Sequence, residues 1–440
     1  MKRKTTFNFA LTCARNTASF SITGIENFKQ QMLSWANQFS ICCFLDSNQY
    51  NDKFHSYEWL LAAGAVKIFS PQKNILQLLY DFYESHNDWL FGHMSYELKN
   101  EVEQLTSLHS DHIGFQDIFL FRPEIVLQPT GNLITISCLK KEPAKVFKAI
   151  QSQEISNSNY SSHISIRSRI SKEKYVETIK LLRQHILRGD CYEINYCMEF
   201  FAENVATDPL SVYRNLATIS PNPFSCYYKC NDKYLFCASP ERYLKKTGDT
   251  IISQPIKGTA KRNFTTAAED ELNKRKLSES NKERSENVMV VDLVRNDLSK
   301  ICKDGTVNVE ELFSIYTFPQ VHQMISTVKG ELKDNINFAD ILKATFPMGS
   351  MTGAPKKRVM ELIEKYECSK RGIFSGAVGY ITPQKDFDFN VVIRSIMYNS
   401  TKKYLSYQVG SGITFYSNAE NEYEECLLKA KAIEEVLKWV

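Results

Sequence analysis

The chain has 440 residues, a formal net charge of +4, and a composition of 43% hydrophobic, 24% charged and 12% aromatic residues. That balance fits a globular protein of two or three ordinary domains, or one large two-layer domain. A nearly neutral charge with no basic run interleaved with aromatics argues against nucleic acid as a partner. No apolar run reaches the roughly 20 residues that cross a bilayer, so no membrane association is expected.

The start, Met1-Lys2-Arg3-Lys4, is basic, but Thr5 to Ala10 is too polar for the apolar core of an export signal. The twelve cysteines show neither a disulfide framework nor zinc spacing, which predicts free thiols in a reducing cytoplasm. Residues 1–143 read as a lobe of short strands and helices, such as the run Ile41–Leu45 and a helix near Ile75–Tyr83, without visible chemistry. Residues 144–163, rich in serine and asparagine, read as a polar loop or linker, and 164–440 as the patterned region. Ser171 can cap a helix carrying Tyr175, Ile179, Leu182 and Ile186, closed by Gly189. Strands are expected at 233–238, 250–256, 374–381, 389–398 and 404–409, and a solvated charged helix at 269–286.

Four stretches carry candidate chemistry. In Pro255-Ile256-Lys257-Gly258-Thr259 a lysine follows the strand-like run Thr250–Ser253, and Pro255 is expected to end its pairing. A lysine held there out of water can lose its proton and act as a nucleophile; alone, K-G-T also reads as a solvent-facing turn. The segment Phe346–Lys356 precedes a helix, with Pro355 suited to its first turn, and reads either as an ordinary capped start or as an anion site. On the C-terminal helix, Glu422, Glu425 and Lys429 fall on one side beside an apolar stripe. Spacing favours a solvated acidic face there, with a hard cation such as Mg²⁺ as the other reading. Gly410-Ser411-Gly412 ends a strand just before that helix, and is weak as a dinucleotide signature because the third glycine is missing.

Six ordered segments together resemble the chorismate-utilising enzymes: SPERYL (239–244), PIKGT (255–259), VDLVRNDLSK (291–300), FPMGSMTGAPK (346–356), RGIFSGAVGY (371–380) and VGSGITFYSNAENEYEE (409–425). The similarity runs from about Ile170 to the C-terminus. It implies an α/β fold of the α+β type, with packed sheets flanked by helices around a cleft that holds chorismate and Mg²⁺. Residues 1–143 match the family's variable lobe, and 164–440 the chorismate-binding catalytic region.

Carried over by position, Glu286, Glu422 and Glu425 would surround the Mg²⁺. Lys429, Ser350, Thr352 and the Gly410-Ser411-Gly412 segment would bind the ring carboxylate. Tyr380 and Arg394 would hold the enolpyruvyl carboxylate, and Glu241 would protonate the departing 4-hydroxyl. Lys257 places the chain nearest the aminodeoxychorismate synthase branch, because anthranilate synthases carry alanine there. A covalent role for Lys257 implies a lowered pKa. Three departures stand out: Glu193 replaces the glutamine usual in amine-adding members, Asn287 replaces the histidine usual in anthranilate synthases, and Gln323 replaces a family histidine. The resemblance further implies ammonia from a separate glutamine amidotransferase subunit and a separate aminodeoxychorismate lyase downstream. Anthranilate synthase component I and a non-catalytic chorismate-binding regulator are the alternatives.

Overall fold

The structure is a computed structural model that describes residues 14–50, 53–155, 164–318 and 321–438. The basic start and the polar stretch after it, and the serine-rich run 156–163, lie outside the described residues.

Twenty strands join in one system, and every pairing among the described residues is antiparallel. It divides into two arms at the long strand Ile118–Thr130. One arm passes through Trp59–Phe69, Ile41–Asp46, Phe224–Cys230, Lys233–Ser239, Ser395–Asn399 and Tyr404–Ile413 to Glu193–Ala202. The other passes through Leu90–Met94, Ala377–Ile381, Phe387–Asn390, Arg242–Thr247 and Thr250–Gln254 to Val321–Glu331, which also pairs with Ile256–Lys261. Strands of the first 143 residues are thus hydrogen-bonded into sheets built by later residues.

Alternation along the strands sorts the core. Ile41 and Cys43 join Phe91, Phe121 and Phe389 in one apolar cluster, while Cys42 and Phe44 join the helical residues Met32, Tyr175 and Ile433 in another. The first arm is therefore a middle layer, covered by the second arm on one face and by helices on the other.

The helix expected from Ser171 spans Lys172–Leu187, and the Ser171 side chain accepts from the Lys174 amide. The C-terminal helix spans Ala419–Leu437 and is capped by Asn418. No helix among the described residues is long and apolar enough to cross a membrane.

Three expectations are corrected. The linker 144–163 begins as a helix, Pro143–Gln151, because Pro143 suits a first turn and Val146 and Ile150, one turn apart, are buried. The charged stretch 269–286 is broken at Ser280 into Ala267–Glu279 and Asn281–Ser299, and the second helix buries Val290, Val291, Val294 and Leu298. The run 389–398 is not one strand. Phe387–Asn390 pairs in the second arm and Ser395–Asn399 in the first, so the chain changes layers between them.

Candidate active site

The site draws on both arms, with Glu193 opening the last strand of the first and Lys257 on the Ile256–Lys261 strand of the second. Two short crossings between the arms, at Pro240-Glu241 and at 391–394, bond to each other. The Val391 amide donates to the Glu241 carbonyl at 3.0 Å, and the Ala238 amide donates to the Arg394 carbonyl at 3.2 Å. Arg394 has a left-handed backbone, φ 50°. Both crossings thus deliver their charged side chains, Glu241 and Arg394, to one region.

Lys257 arrives from a bulge. Pairing with Val321–Glu331 keeps one register from Thr250↔Glu331 to Ile256↔Ile325, then slips before Thr259↔Gln323. Pro255 therefore does not end the pairing as expected. It lacks only an N–H, and its carbonyl still accepts from the Ser326 amide at 3.2 Å. The extra residue falls at Lys257-Gly258, where Gly258 has φ 96° and lies against Glu283. A bulge of this kind re-aims a side chain and is common beside active sites.

The Lys257 ammonium donates to Glu193 Oε1 at 2.5 Å. Glu193 is 2% exposed, and its second oxygen has no hydrogen-bond partner among the described residues. Gly412 makes room for the pair, since a Cβ there would stand 2.8 Å from both Lys257 Nζ and Glu193 Oε1. Burial pulls the Lys257 ammonium down, but Glu193, Glu286 and Glu241 outweigh it and hold the lysine above its ordinary range. The expected lowering is thus reversed, because three carboxylates surround the amine.

Burial pushes the Glu241 carboxyl up to about 7 against the opposing pull of Ser350, Lys257 and Arg394. Burial likewise raises Glu286 to about 7, with Lys257 opposing. One buried Glu286 oxygen, Asn287 Nδ2 and Gln323 Oε1 have no hydrogen-bond partner among the described residues. Glu286 and Glu422 face the same ammonium, Lys282, at 3.9 and 3.7 Å. A positive charge already stands between them, so this pair suits a hard cation. Glu425 is instead paired with Lys429 at 2.8 Å, and among the described residues no three acidic, histidine or cysteine side chains form a ready ligand cluster. The Mg²⁺ fit therefore rests on Glu286 and Glu422.

Residues 42–435 match the model of the family described as chorismate binding enzyme. The chain belongs to that family. It is 32% identical over 353 residues to an anthranilate synthase component I-like protein of Synechocystis, covering 79% of this chain and 72% of the relative. It is 30% identical over 366 residues to aminodeoxychorismate synthase component 1 of Bacillus subtilis, covering 79% and 76%. The solved anthranilate synthase component I of Streptococcus pneumoniae superimposes with a TM-score of 0.76 at 26% identity, over 88% of this chain and 94% of that one.

Within this chorismate-binding enzyme, Lys257 comes together with Glu193, Glu241, Glu286 and Gly412, Ser350 and Arg394 stand beside Glu241, and Glu422 joins Glu286 through Lys282. Lys429 reaches the Gly410 carbonyl at 2.8 Å. Three expected substrate contacts do not gather there. Tyr380 packs among Tyr57, Trp89 and Phe91 and lines a separate pocket with Asp46, Phe224 and Arg242. Ser411 lies on the opposite strand face from Gly410 and Gly412, its hydroxyl 3.2 Å from that of Tyr175. The Thr352 hydroxyl is fully buried and donates to the Met348 carbonyl at 3.1 Å.

Sequence reasoning also missed supports. Arg371 donates to the Met351 and Asn195 carbonyls at 2.6 and 2.7 Å and forms a buried ion pair with Glu367 at 2.6 Å. It thereby ties the Ser350 turn to the strand that begins with Glu193. Lys356 and Asp297 join two recognised segments through an ion pair at 2.5 Å, which gives the lysine at that helix start a structural partner. Lys282, four residues before Glu286, carried a usable signal in its helical spacing.

Proposed function

We propose that this chain is the chorismate-converting component of an aminodeoxychorismate synthase, turning chorismate and ammonia into 4-amino-4-deoxychorismate. The observation that carries the reading is Lys257, set on a bulge and paired with Glu193 beside Glu241 and Glu286. Relatives that bear the aminodeoxychorismate synthase name, such as that of Bacillus subtilis, support it.

In this reading the neutral Lys257 amine attacks ring carbon 2. Both ring double bonds shift and the bond from carbon 4 to its hydroxyl breaks. Glu241 gives that hydroxyl a proton, so it leaves as water, and a carboxyl near 7 suits a general acid at neutral pH. Ammonia then adds at carbon 4 and expels the lysine. Covalent attachment splits one hard displacement into two easier ones. Arg394 and Lys429 supply positive charge for the substrate carboxylates. Mg²⁺ held by Glu286 and Glu422 would neutralise charge and orient the ring carboxylate. Ammonia comes from a glutamine amidotransferase subunit, a separate lyase completes 4-aminobenzoate, and the setting is the cytoplasm.

Relatives named anthranilate synthase favour a second reading, in which the product is anthranilate. Incubation of the purified chain with chorismate, Mg²⁺ and an ammonium salt separates the two. The expected product has the mass of aminodeoxychorismate; anthranilate fluorescence without added lyase overturns the proposal.

A further inference from the structure

We propose that Glu193 is the proton acceptor for Lys257: it takes the ammonium proton that must leave before the amine can attack, and returns it when the lysine is expelled. This inference rests on the covalent reading above. An ammonium has no lone pair, so a lysine that rests in an ion pair needs a base before it can be a nucleophile. Glu193 Oε1 already accepts from Lys257 Nζ at 2.5 Å, with no space for water between them. The pair is nearly closed to solvent, with side-chain exposures of 10% for Lys257 and 3% for Glu193, so bulk water is a poor competing base. In such a setting the ion pair loses much of its hydration, and transfer within it to a neutral amine and a neutral acid costs less than in water.

Other charged groups face Lys257 from every neighbouring element. Glu286 and Glu283 come from the helix Asn281–Ser299, Glu241 from the sheet crossing and Glu425 from the C-terminal helix, while Lys282 and Lys429 stand beside these carboxylates. Among them only Glu193 has a hydrogen bond to Nζ recorded in the structure. Glu241 is committed to the departing hydroxyl, and Glu286 faces Lys282. The fixed room at Gly412 keeps the two atoms together.

The step balances. Glu193 carboxylate gains the Lys257 proton, and Nζ forms a bond to ring carbon 2 as the carbon 4–oxygen bond breaks. When ammonia expels the lysine, the amine recovers the proton and the ion pair is restored.

The test follows the Lys257–substrate adduct by intact mass after quenching with chorismate and Mg²⁺ but no ammonia, between pH 6 and 9.5. Glu193→Gln is expected to slow adduct formation at pH 7 on the order of 100-fold, and to recover as solution hydroxide takes over at higher pH. Glu193→Asp should keep part of the rate. If Glu193→Gln does not fold, Glu193→Ala with added formate serves in its place, and partial recovery by formate is expected. An adduct that forms as fast or faster in Glu193→Gln at pH 7 overturns the proposal, since Glu193 would then only restrain the lysine. Absence of the adduct from the unaltered protein at every pH overturns the covalent reading as well.

Discussion

Glu241→Gln separates a catalytic acid from a structural one, because it should damage activity while improving stability at alkaline pH. Burial raises the Glu241 carboxyl from an ordinary 4.5 to about 7. That rise corresponds to about 3 kcal/mol, an upper bound given the neighbouring charges. The folded state binds the proton more tightly than the unfolded chain. The penalty is therefore absent below about 4.5, grows between 4.5 and 7 as only the unfolded chain ionises, and is complete above about 7. A glutamine bears no such penalty. Denaturant titrations should find the variant and the parent alike near pH 4.5, and the variant up to about 3 kcal/mol more stable at pH 8. Turnover of chorismate with ammonium should fall by roughly 10²- to 10⁴-fold. In the parent, turnover should decline above about pH 7 as the acid ionises. Activity within threefold of the parent, or a stability difference independent of pH, would refute the assignment.

Three further expectations follow from other parts of the site. Lys257→Ala should abolish the adduct seen by intact mass while chorismate still binds, and Lys257→Arg should not restore it, because a guanidinium stays protonated; near-normal turnover by the alanine variant removes the covalent step. Arg371→Leu leaves the buried Glu367 unpaired and should cost about 3–5 kcal/mol by denaturant titration, with much of the loss recovered in Arg371→Leu/Glu367→Leu; a loss below about 1 kcal/mol means the pair does not anchor the Ser350 turn. Calorimetry should find Mg²⁺ binding weakened at least about tenfold by Glu286→Gln and less by Glu425→Gln, whose carboxylate already has Lys429 as partner; equal effects would place Glu425 in the ligand set as firmly as Glu286.

The elements legible from sequence were those set by local rules. Ser171 caps the helix that its hydroxyl announces, because a cap depends on residues three positions apart. The family segments were equally legible, since a run of residues is what a resemblance compares. Reasoning from local pattern failed where a residue's meaning depends on a distant strand. Pro255 looked like a stop, yet the partner strand Val321–Glu331 holds it in register and places the break at Lys257. The run 389–398 had continuous strand character, and only the two separate arms divide it at Arg394. Tyr380 lies in a recognised segment, but its strand partners direct the ring into a different cavity.

The sequence by itself determined the family, through its ordered segments, and the Ser171 cap, because these depend on residue type and order; Lys257 stood out in its Pro-Ile-Lys-Gly-Thr setting, and Glu241 and Glu286 were implied by the resemblance. The tertiary structure decided which of these groups share an environment. Glu193 and Lys257 are 64 residues apart in the chain, and their contact exists because a bulge on one arm meets the first residue of a strand on the other, over a glycine. Their charges follow from that meeting. A buried lysine alone would be pushed toward neutrality, whereas one ringed by carboxylates is held as an ammonium. Proton affinity is set by distance through space and by exclusion of water, and neither is written in the order of the residues.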